Sequence, residues 1–458
     1  MQPVNRLPPE ILSYIARGVR NDSDKDMRAI IPLTHVCRYW RESIISTPEN
    51  WKKISSSQRS LAEVSLERAK SALLEIHLDM DEIRRDPKFL DLFVPHFRNT
   101  EILLVTDLIT IADLLPISQH QMVNLRSLAL SDLPGVGYWD RSIDPFESSA
   151  HPLRYLELCG VPLYPSFLNL RTLTGLDLYD IQCNLRLDTI LDFLEENHSL
   201  TSARLRIRFI EPSLRSSRRR APIRNQLQYL RIGSVDVMDS QALISSIALS
   251  KGATLEFRYI ESAGVHSVLS SISTTHLSNL LSPTFMLYRV WPRTIELRGP
   301  NGAASFCSFS DSSTPFVEFP RLPLATVRRF RLDPREWDEF DPPLDPILFN
   351  HLTSFPALET FVVCDIDLPH LLSTLLSNPS VSPSLKTLAF SDCNLTEEFM
   401  EGLTRFASDR KKTTSAWLRR VAITHRDGIL PSVASIRKLG KHVAVVDVRI
   451  EEGPPLDL

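Results

Sequence analysis

The residues of this chain that could do chemistry are dispersed. Six cysteines stand at positions 37, 159, 183, 307, 364 and 393, with no CxxC pair among them. Scattered cysteines of this kind read as buried free thiols of a reducing compartment, not as metal ligands or a disulfide framework. Cys37 is the one placed where a nucleophile is imaginable, but its neighbours put it on the apolar face of a predicted helix, where burial raises a thiol pKa and blunts it. His35 and His370 read as surface or helix residues. Only 14 glycines occur, and neither GxxxxGK[ST] nor GxGxxG is present. GxSxG and HExxH are missing as well. The pattern argues for no catalysis, no metal and no cofactor, and the side chains must be judged by the elements that carry them.

With 458 residues, 43% hydrophobic and 23% charged, the chain has the composition of a globular protein able to bury a sizeable core. A net charge of -3 gives no global reason to expect nucleic acid or a membrane as partner. The N-terminal "MQPVNRLPPE" lacks the apolar stretch of a secretory signal. The most apolar run, 101–117, is broken by Asp107 and Asp113 and is too short to span a bilayer. The expected location is intracellular, cytoplasmic or nuclear. N-x-S/T matches at Asn21, Asn197 and Asn394 are then fortuitous.

A repeat organises most of the chain. "LRSLAL" at Leu125 has apolar residues at positions 1, 4 and 6, and the spacing returns at Leu153, Leu173, Leu200 and Leu227. It recurs in "VRRFRL" at Val327, at Leu358, Leu385 and Leu418, and in "VAVVDV" at Val443, with weaker copies at Leu73 and Asn99. From 73 to 227 the starts are 26, 26, 28, 20, 27 and 27 residues apart. Positions 4 and 6 of each copy are alternate residues of a short strand, facing one core. Return segments such as "LDTILDFLEENHSL", "DSQALISSIALS" and "TEEFMEGLTRFASDR" have helical spacing, the last opened by Thr396 and Glu398. One strand and one helix per roughly 26 residues matches the leucine-rich-repeat period. No such unit buries its apolar face alone, so an α/β solenoid of parallel short strands with helices outside is expected. The ninth position holds Cys393 in one unit but aliphatic Val161, Ile181, Val235 and Ile366 in others, which implies an irregular horseshoe.

Regularity fails between Tyr259 and Val327, where only "RTIELRG" looks strand-like. The region (about 260–326) is two degenerate units or an inserted β-hairpin. "RSSRRRAPIRNQ" at 215–226 reads as a basic, solvated loop.

The first fifty-four residues follow a different pattern. Pro9 and Glu10 open a helix whose apolar face is Ile11, Leu12, Ile15, Ala16 and Val19. "VRNDSDKD" reads as a polar loop, and a short second helix surrounds Pro32. Thr34 is placed to cap a third helix with Val36, Cys37, Trp40, Ile44 and Ile45 on one face, ended by Pro48. Three helices of this size make a very small core, which is usually marginal unless it docks on something else.

This segment resembles the F-box, in the form common in fungal F-box proteins that carry leucine-rich repeats. The likeness rests on "LPPEIL" at Leu7–Leu12, "LTHVCRYWR" at Leu33–Arg41 and "STPENW" at Ser46–Trp51. The resemblance implies two domains, F-box-like 1–54 and repeat-bearing 55–458. It implies a non-enzymatic substrate-recognition subunit of an SCF-type cullin–RING ubiquitin ligase. The F-box would dock on the ligase adaptor, and through it a cullin, while the repeats bind a target protein. By motif position the adaptor-binding residues would be Leu7, Pro8, Ile11, Leu12 and Ile15, with Val36, Cys37, Trp40 and Trp51. The loop between the first two blocks is longer than in many F-boxes, which leaves the part of Ile30 and Ile31 open. The alternative is a leucine-rich-repeat interaction scaffold whose N-terminal helices only cap the solenoid.

Overall fold

Position 1 of the clear repeats is an anchor set two residues ahead of a strand; the weaker copies depart from this, Leu73 being exposed and the Asn99 copy burying Leu103 and Val105 in place of Ile102 and Leu104. Leu125, Leu153, Leu173, Leu200 and Leu227 precede strands that begin at Ser127, Tyr155, Gly175, Ser202 and Tyr229. Every one of these leucines is buried. Positions 4 and 6, being alternate residues of a strand, point into the same core: Leu128 and Leu130, Leu156 and Leu158, Leu176 and Leu178 are all buried. Each such side chain contributes roughly 1.5–3 kcal/mol of transfer free energy.

The computed structural model of the chain describes residues 7–22, 27–132, 139, 143–146, 152–181, 187–207, 223–224, 226–233, 243, 247–248, 252–258, 283–289, 293–300, 302–308, 324–333, 351–364, 369–377, 382–393, 395–413, 417–425 and 431–450. It is mixed α/β and divides into two units, Met1–Ser213 and Leu214–Leu458.

The first unit opens with helices α1 (Pro9–Asp22), α2 (Ile31–Thr34) and α3 (Arg38–Ser46). They are followed by β1 (Lys53–Ser55), α4 (Arg59–Ala69), β2 (Leu74–Asp79), α5 (Met80–Arg85), β3 (Thr100–Leu108), α6 (Ile111–Ser118) and β4 (Ser127–Asp132). Then come β5 (Tyr155–Cys159), α7 (Pro165–Leu168), β6 (Gly175–Ile181), α8 (Leu187–Glu196) and β7 (Ser202–Ile207). The strands pair in chain order and all in parallel, β1 with β2 through to β6 with β7. The copies stay in register, Leu128 opposite Leu156, Leu156 opposite Leu176 and Leu176 opposite Ala203. The ninth-position residues Val161 and Ile181 are buried, filling their turns by packing.

The second unit contains β8 (Ile223–Arg224), β9 (Tyr229–Gly233), β10 (Ile247–Ala248), β11 (Ala253–Arg258), β12 (Phe285–Arg289), β13 (Arg293–Gly299), β14 (Gly302–Ser308) and β15 (Arg329–Asp333). It continues with β16 (Thr360–Cys364), α9 (Pro369–Ser377), β17 (Thr387–Ser391), α10 (Glu397–Thr413), β18 (Arg420–His425), α11 (Val433–Gly440) and β19 (Val445–Ile450). From β15 to β19 the pairing is again parallel and in chain order. Thr396 opens α10 as its sequence suggests, its hydroxyl accepting from the Phe399 amide at 3.1 Å. Cys393 is buried and its thiol donates to the Val363 carbonyl at 3.4 Å.

The irregular region contains the expected antiparallel hairpin, β13–β14, extended by a third strand, β12. β12, β13 and β14 form an antiparallel meander, and the meander enters the sheet backwards: β14 lies parallel to β11 and β12 parallel to β15. Only "RTIELRG" stands out in the sequence because the residues two ahead of β12 and β14 are Pro283 and Pro300, not the leucine that marks the regular copies. In the basic segment, Ile223–Arg224 is a two-residue strand paired with Ile247–Ala248, so the loop is not continuous; its residues 215–222 lie outside the described residues. Val235 and Ile366, and most of "DSQALISSIALS", also lie outside them.

Candidate docking surface

The N-terminal helices are held together by a few well-placed polar contacts around a small core. Leu12 and Ala16 of α1, Ile30, and Trp40 and Ile44 of α3 are buried together with Trp51. α1 and α2 both pack on α3. The Ser13 hydroxyl donates to Asn50 Oδ1 at 3.0 Å, and Asn50 Nδ2 donates to the Ile44 carbonyl at 3.2 Å. Trp51 Nε1 donates to that same carbonyl at 3.1 Å, so Asn50 and Trp51 together serve a carbonyl of the last turn of α3. The Tyr39 hydroxyl donates to the Leu7 carbonyl at 2.8 Å. The start of α1 therefore lies beside the first turn of α3, which Val36 immediately precedes.

Two local details differ from the sequence expectation. α3 is capped by Cys37 and not by Thr34: the Cys37 backbone is extended, and its Sγ accepts from the Trp40 amide at 3.5 Å. Thr34 closes α2 instead, its hydroxyl donating to the Ile31 carbonyl at 2.7 Å. Cys37 is thus a half-buried capping residue and not a member of the apolar helix face. The supposed polar loop is also shorter, because α1 runs on through Asp22.

The motif residues separate into three groups. Leu12 and Trp40 are buried, and Trp51 is only 2% exposed; these three are spent inside the chain. Trp51 also carries the Arg68 guanidinium of α4 over its ring at 4.4 Å, so it couples the N-terminal helices to α4. Leu7, Ile15 and Cys37 are half-buried, and Pro8 is exposed. Ile11 and Val36 are 46% and 50% exposed. Ile30 is buried, whereas Ile31 is exposed. Sequence reasoning missed Tyr14, which is 71% exposed one turn along α1 from Ile11. The i, i+3 spacing that puts both on one face was the available signal.

The polar side of α3 is as its pattern suggests. Arg38 and Glu42 form an exposed i, i+4 pair, and Arg41 Nε donates to the Thr34 carbonyl at 3.0 Å. His35 is exposed. Asn197 is fully buried, with Nδ2 donating to the Phe193 carbonyl at 2.9 Å, so it is a packing residue. Among the described residues there is no group of His, Cys, Asp or Glu arranged to hold a metal ion, and no helix long and apolar enough to cross a membrane.

The chain matches no protein-family model and no curated protein. Its function therefore has to be argued from its own residues. Their arrangement leaves apolar side chains exposed on α1, at Ile11 and Tyr14, and at the α2–α3 junction, at Val36.

Proposed function

We propose that this chain is the substrate-recognition subunit of an SCF-type cullin–RING ubiquitin ligase. In this reading residues 1–54 are an F-box that docks on the ligase adaptor, and through it a cullin. Residues 55–458 are an irregular leucine-rich-repeat solenoid that binds a target protein. The chain itself performs no catalysis; it brings a target to an enzyme.

The observation that carries the reading is the exposure of Ile11 and Tyr14 of α1 and of Val36, in the bend between α2 and α3, while Leu12, Trp40 and Ile44 of the same helices are buried. A cluster of large apolar side chains left in water on so small a unit marks a contact surface. The motif residues Pro8, Ile11 and Val36 supply that surface, while Leu12, Trp40 and Trp51 build the platform beneath it.

The test is co-purification with the ligase adaptor. Wild-type chain made with excess adaptor is expected to elute with it, and an Ile11→Glu, Val36→Glu double variant is expected to elute free of it with unchanged circular dichroism. Wild-type chain that stays adaptor-free sinks the proposal.

The cap-only scaffold is kept because of Trp51. Its contact with Arg68 and its hydrogen bond to Ile44 tie the three helices to α4. That reading expects faster proteolysis of the remaining chain on deletion of 1–54, with no adaptor captured by the intact protein.

A further inference from the structure

The last strand of the second unit, β19, lies at an edge: among the described residues it pairs with β18 alone, in parallel. Its core-facing positions 4 and 6, Val446 and Val448, are only half-buried, whereas their partners Val421 and Ile423 on β18 are buried. The last described repeat thus leaves part of its core uncovered, and a solenoid needs its ends covered. Natural sheets blunt such edges with proline or a bulge. β19 contains no proline, and its register with β18 runs without a break.

The backbone groups offered at this edge follow from the pairing with β18. The Val445 amide donates to the Arg419 carbonyl at 3.0 Å. Both backbone groups of a strand residue point to one neighbour, and the direction alternates along the strand. Those of Val445, Asp447 and Arg449 therefore face β18, and those of Val446, Val448 and Ile450 face the open edge. An extended segment laid alongside satisfies them. Asp447 and Arg449 share the sheet face opposite the core, with Arg449 Nη2 donating to Asp447 at 3.0 Å. Hydrogen bonds from Arg449 and Arg420 hold the Asp447 carboxyl below its usual range, so it is charged at neutral pH.

The geometry points to a second copy of this chain as the partner of β19, its own β19 running antiparallel about a two-fold axis at Val448. In that register Val448 lies opposite Val448 of the second copy, and Val446 opposite Ile450. All the outward backbone groups then exchange hydrogen bonds. Asp447 falls opposite Arg449, twice over. Opposed residues of such a pair stand about 5 Å apart at Cβ, against roughly 6.6 Å for residues two apart on one strand. Each Arg449 so gains a nearer carboxylate than the one it holds within its own copy. Sliding the register by two residues sets Asp447 against Asp447 or Arg449 against Arg449, and like charges directly opposite destabilise a strand pair. The edge is self-complementary in one register, as a two-fold interface requires. An axis normal to the sheet also keeps the valines of both copies on the core side. This inference stands independently of the ligase reading.

The experiment is sedimentation equilibrium of the full chain and its charge variants. Wild type is expected to sediment as a dimer in reversible equilibrium with monomer. Arg449→Glu alters a side chain that is 55% exposed, and should weaken the dimer about tenfold because carboxylates then oppose each other. Asp447→Lys is expected to act alike; it also removes a partner of Arg420, so its fold is checked by circular dichroism. Mixing these two variants should restore a dimer, because the reversed charges face each other across the strands. Val448→Pro deletes an outward amide without touching the ladder to β18, and should give monomer. Arg405→Glu, an exposed change on α10, is the control and should dimerise as wild type. A monomeric wild type overturns the proposal and leaves the edge to another segment. So does a dimer that Arg449→Glu and Val448→Pro leave intact, or a loss that Arg405→Glu shares. Folded Arg449→Glu and Asp447→Lys chains that fail to combine on mixing exclude this register and overturn it as well.

Discussion

Tyr155 and Gly175 are paired residues on the neighbouring strands β5 and β6, and a β-carbon on Gly175 would stand 2.6 Å from Tyr155 Cδ2. The absence of a side chain at Gly175 lets the ring reach across the sheet. The Tyr155 hydroxyl then donates to Asp177 at 2.6 Å and Glu157 at 3.1 Å, while Arg204 Nη1 pairs with Asp177 at 2.8 Å. Burial first, and the Asp177 hydrogen bond next, push the Tyr155 hydroxyl well above its usual range, so it remains a donor at every physiological pH.

Gly175→Ala is expected to destabilise the first unit by roughly 1–3 kcal/mol, as overpacking does. In a Tyr155→Ala background the same change should cost far less, because the clashing ring is gone. Chemical denaturation of the four proteins of this double-mutant cycle reads the coupling. Additive effects would show that the ring and the glycine are independent.

Trp51→Ala should destabilise by about 3–5 kcal/mol, the cost of removing a large buried aromatic. Ile11→Ala and Val36→Ala should each stay within about 0.5 kcal/mol, as surface changes do. Thermal melts of the three variants without any partner separate residues that hold the helices from residues that face outward. Equal losses for all three would place Ile11 and Val36 in the core.

Arg410 is fully buried on α10, its Nη2 donating to the carbonyls of Ser382 at 2.7 Å and Leu385 at 3.2 Å. Burial lowers its pKa, because the charged guanidinium is taken out of water. Arg410→Ala is expected to cost about 3–5 kcal/mol, since it removes the side-chain donor of the Leu385 carbonyl, leaves the Ser382 carbonyl only the Leu385 amide, and opens a cavity. Arg410→Lys should not restore stability, because one ammonium cannot reproduce the planar fork. Rescue by Lys in a urea titration would contradict this account.

Asp132 is buried and accepts from Trp139 Nε1 at 3.1 Å, and desolvation raises its pKa despite that bond. A carboxyl whose folded pKa is raised costs stability as pH climbs through its unfolded value near 4, since the unfolded chain then releases the proton first. Asp132→Asn, which keeps an acceptor for Trp139, is therefore expected to melt higher than wild type at pH 7. The advantage should vanish at acidic pH, where Asp132 is protonated in both states. A difference that is independent of pH would rule out the charge as the cause.

Much of the parallel strand framework could be read from one-dimensional spacing. A position-1 leucine packs beneath its own strand, and positions 4 and 6 fall on the core face by the two-residue period. Each copy thus states its own local structure, whichever neighbour it meets. The helix start at Thr396 was readable for the same reason, since a cap is made within four residues. The cap of α3 was misplaced because Thr34 and Cys37 can each supply an acceptor. Which one does so depends on where α2 ends.

Other features depend on contacts between residues far apart in sequence. The reversed meander of β12, β13 and β14 follows from hydrogen bonds to β11 and β15, and strand order has no signature within any one strand. The division of the N-terminal apolar residues into buried Leu12, Trp40 and Trp51 and exposed Ile11, Tyr14 and Val36 was likewise invisible to periodicity. A helical period identifies an apolar face; only the elements packed on that face decide which of its residues lose their water. The sequence alone thus determined the repeat, its strands and their core-facing positions, because those are local or periodic properties. The tertiary structure alone decided strand order and the occupied and unoccupied parts of the apolar surface, because these require residues brought together by folding.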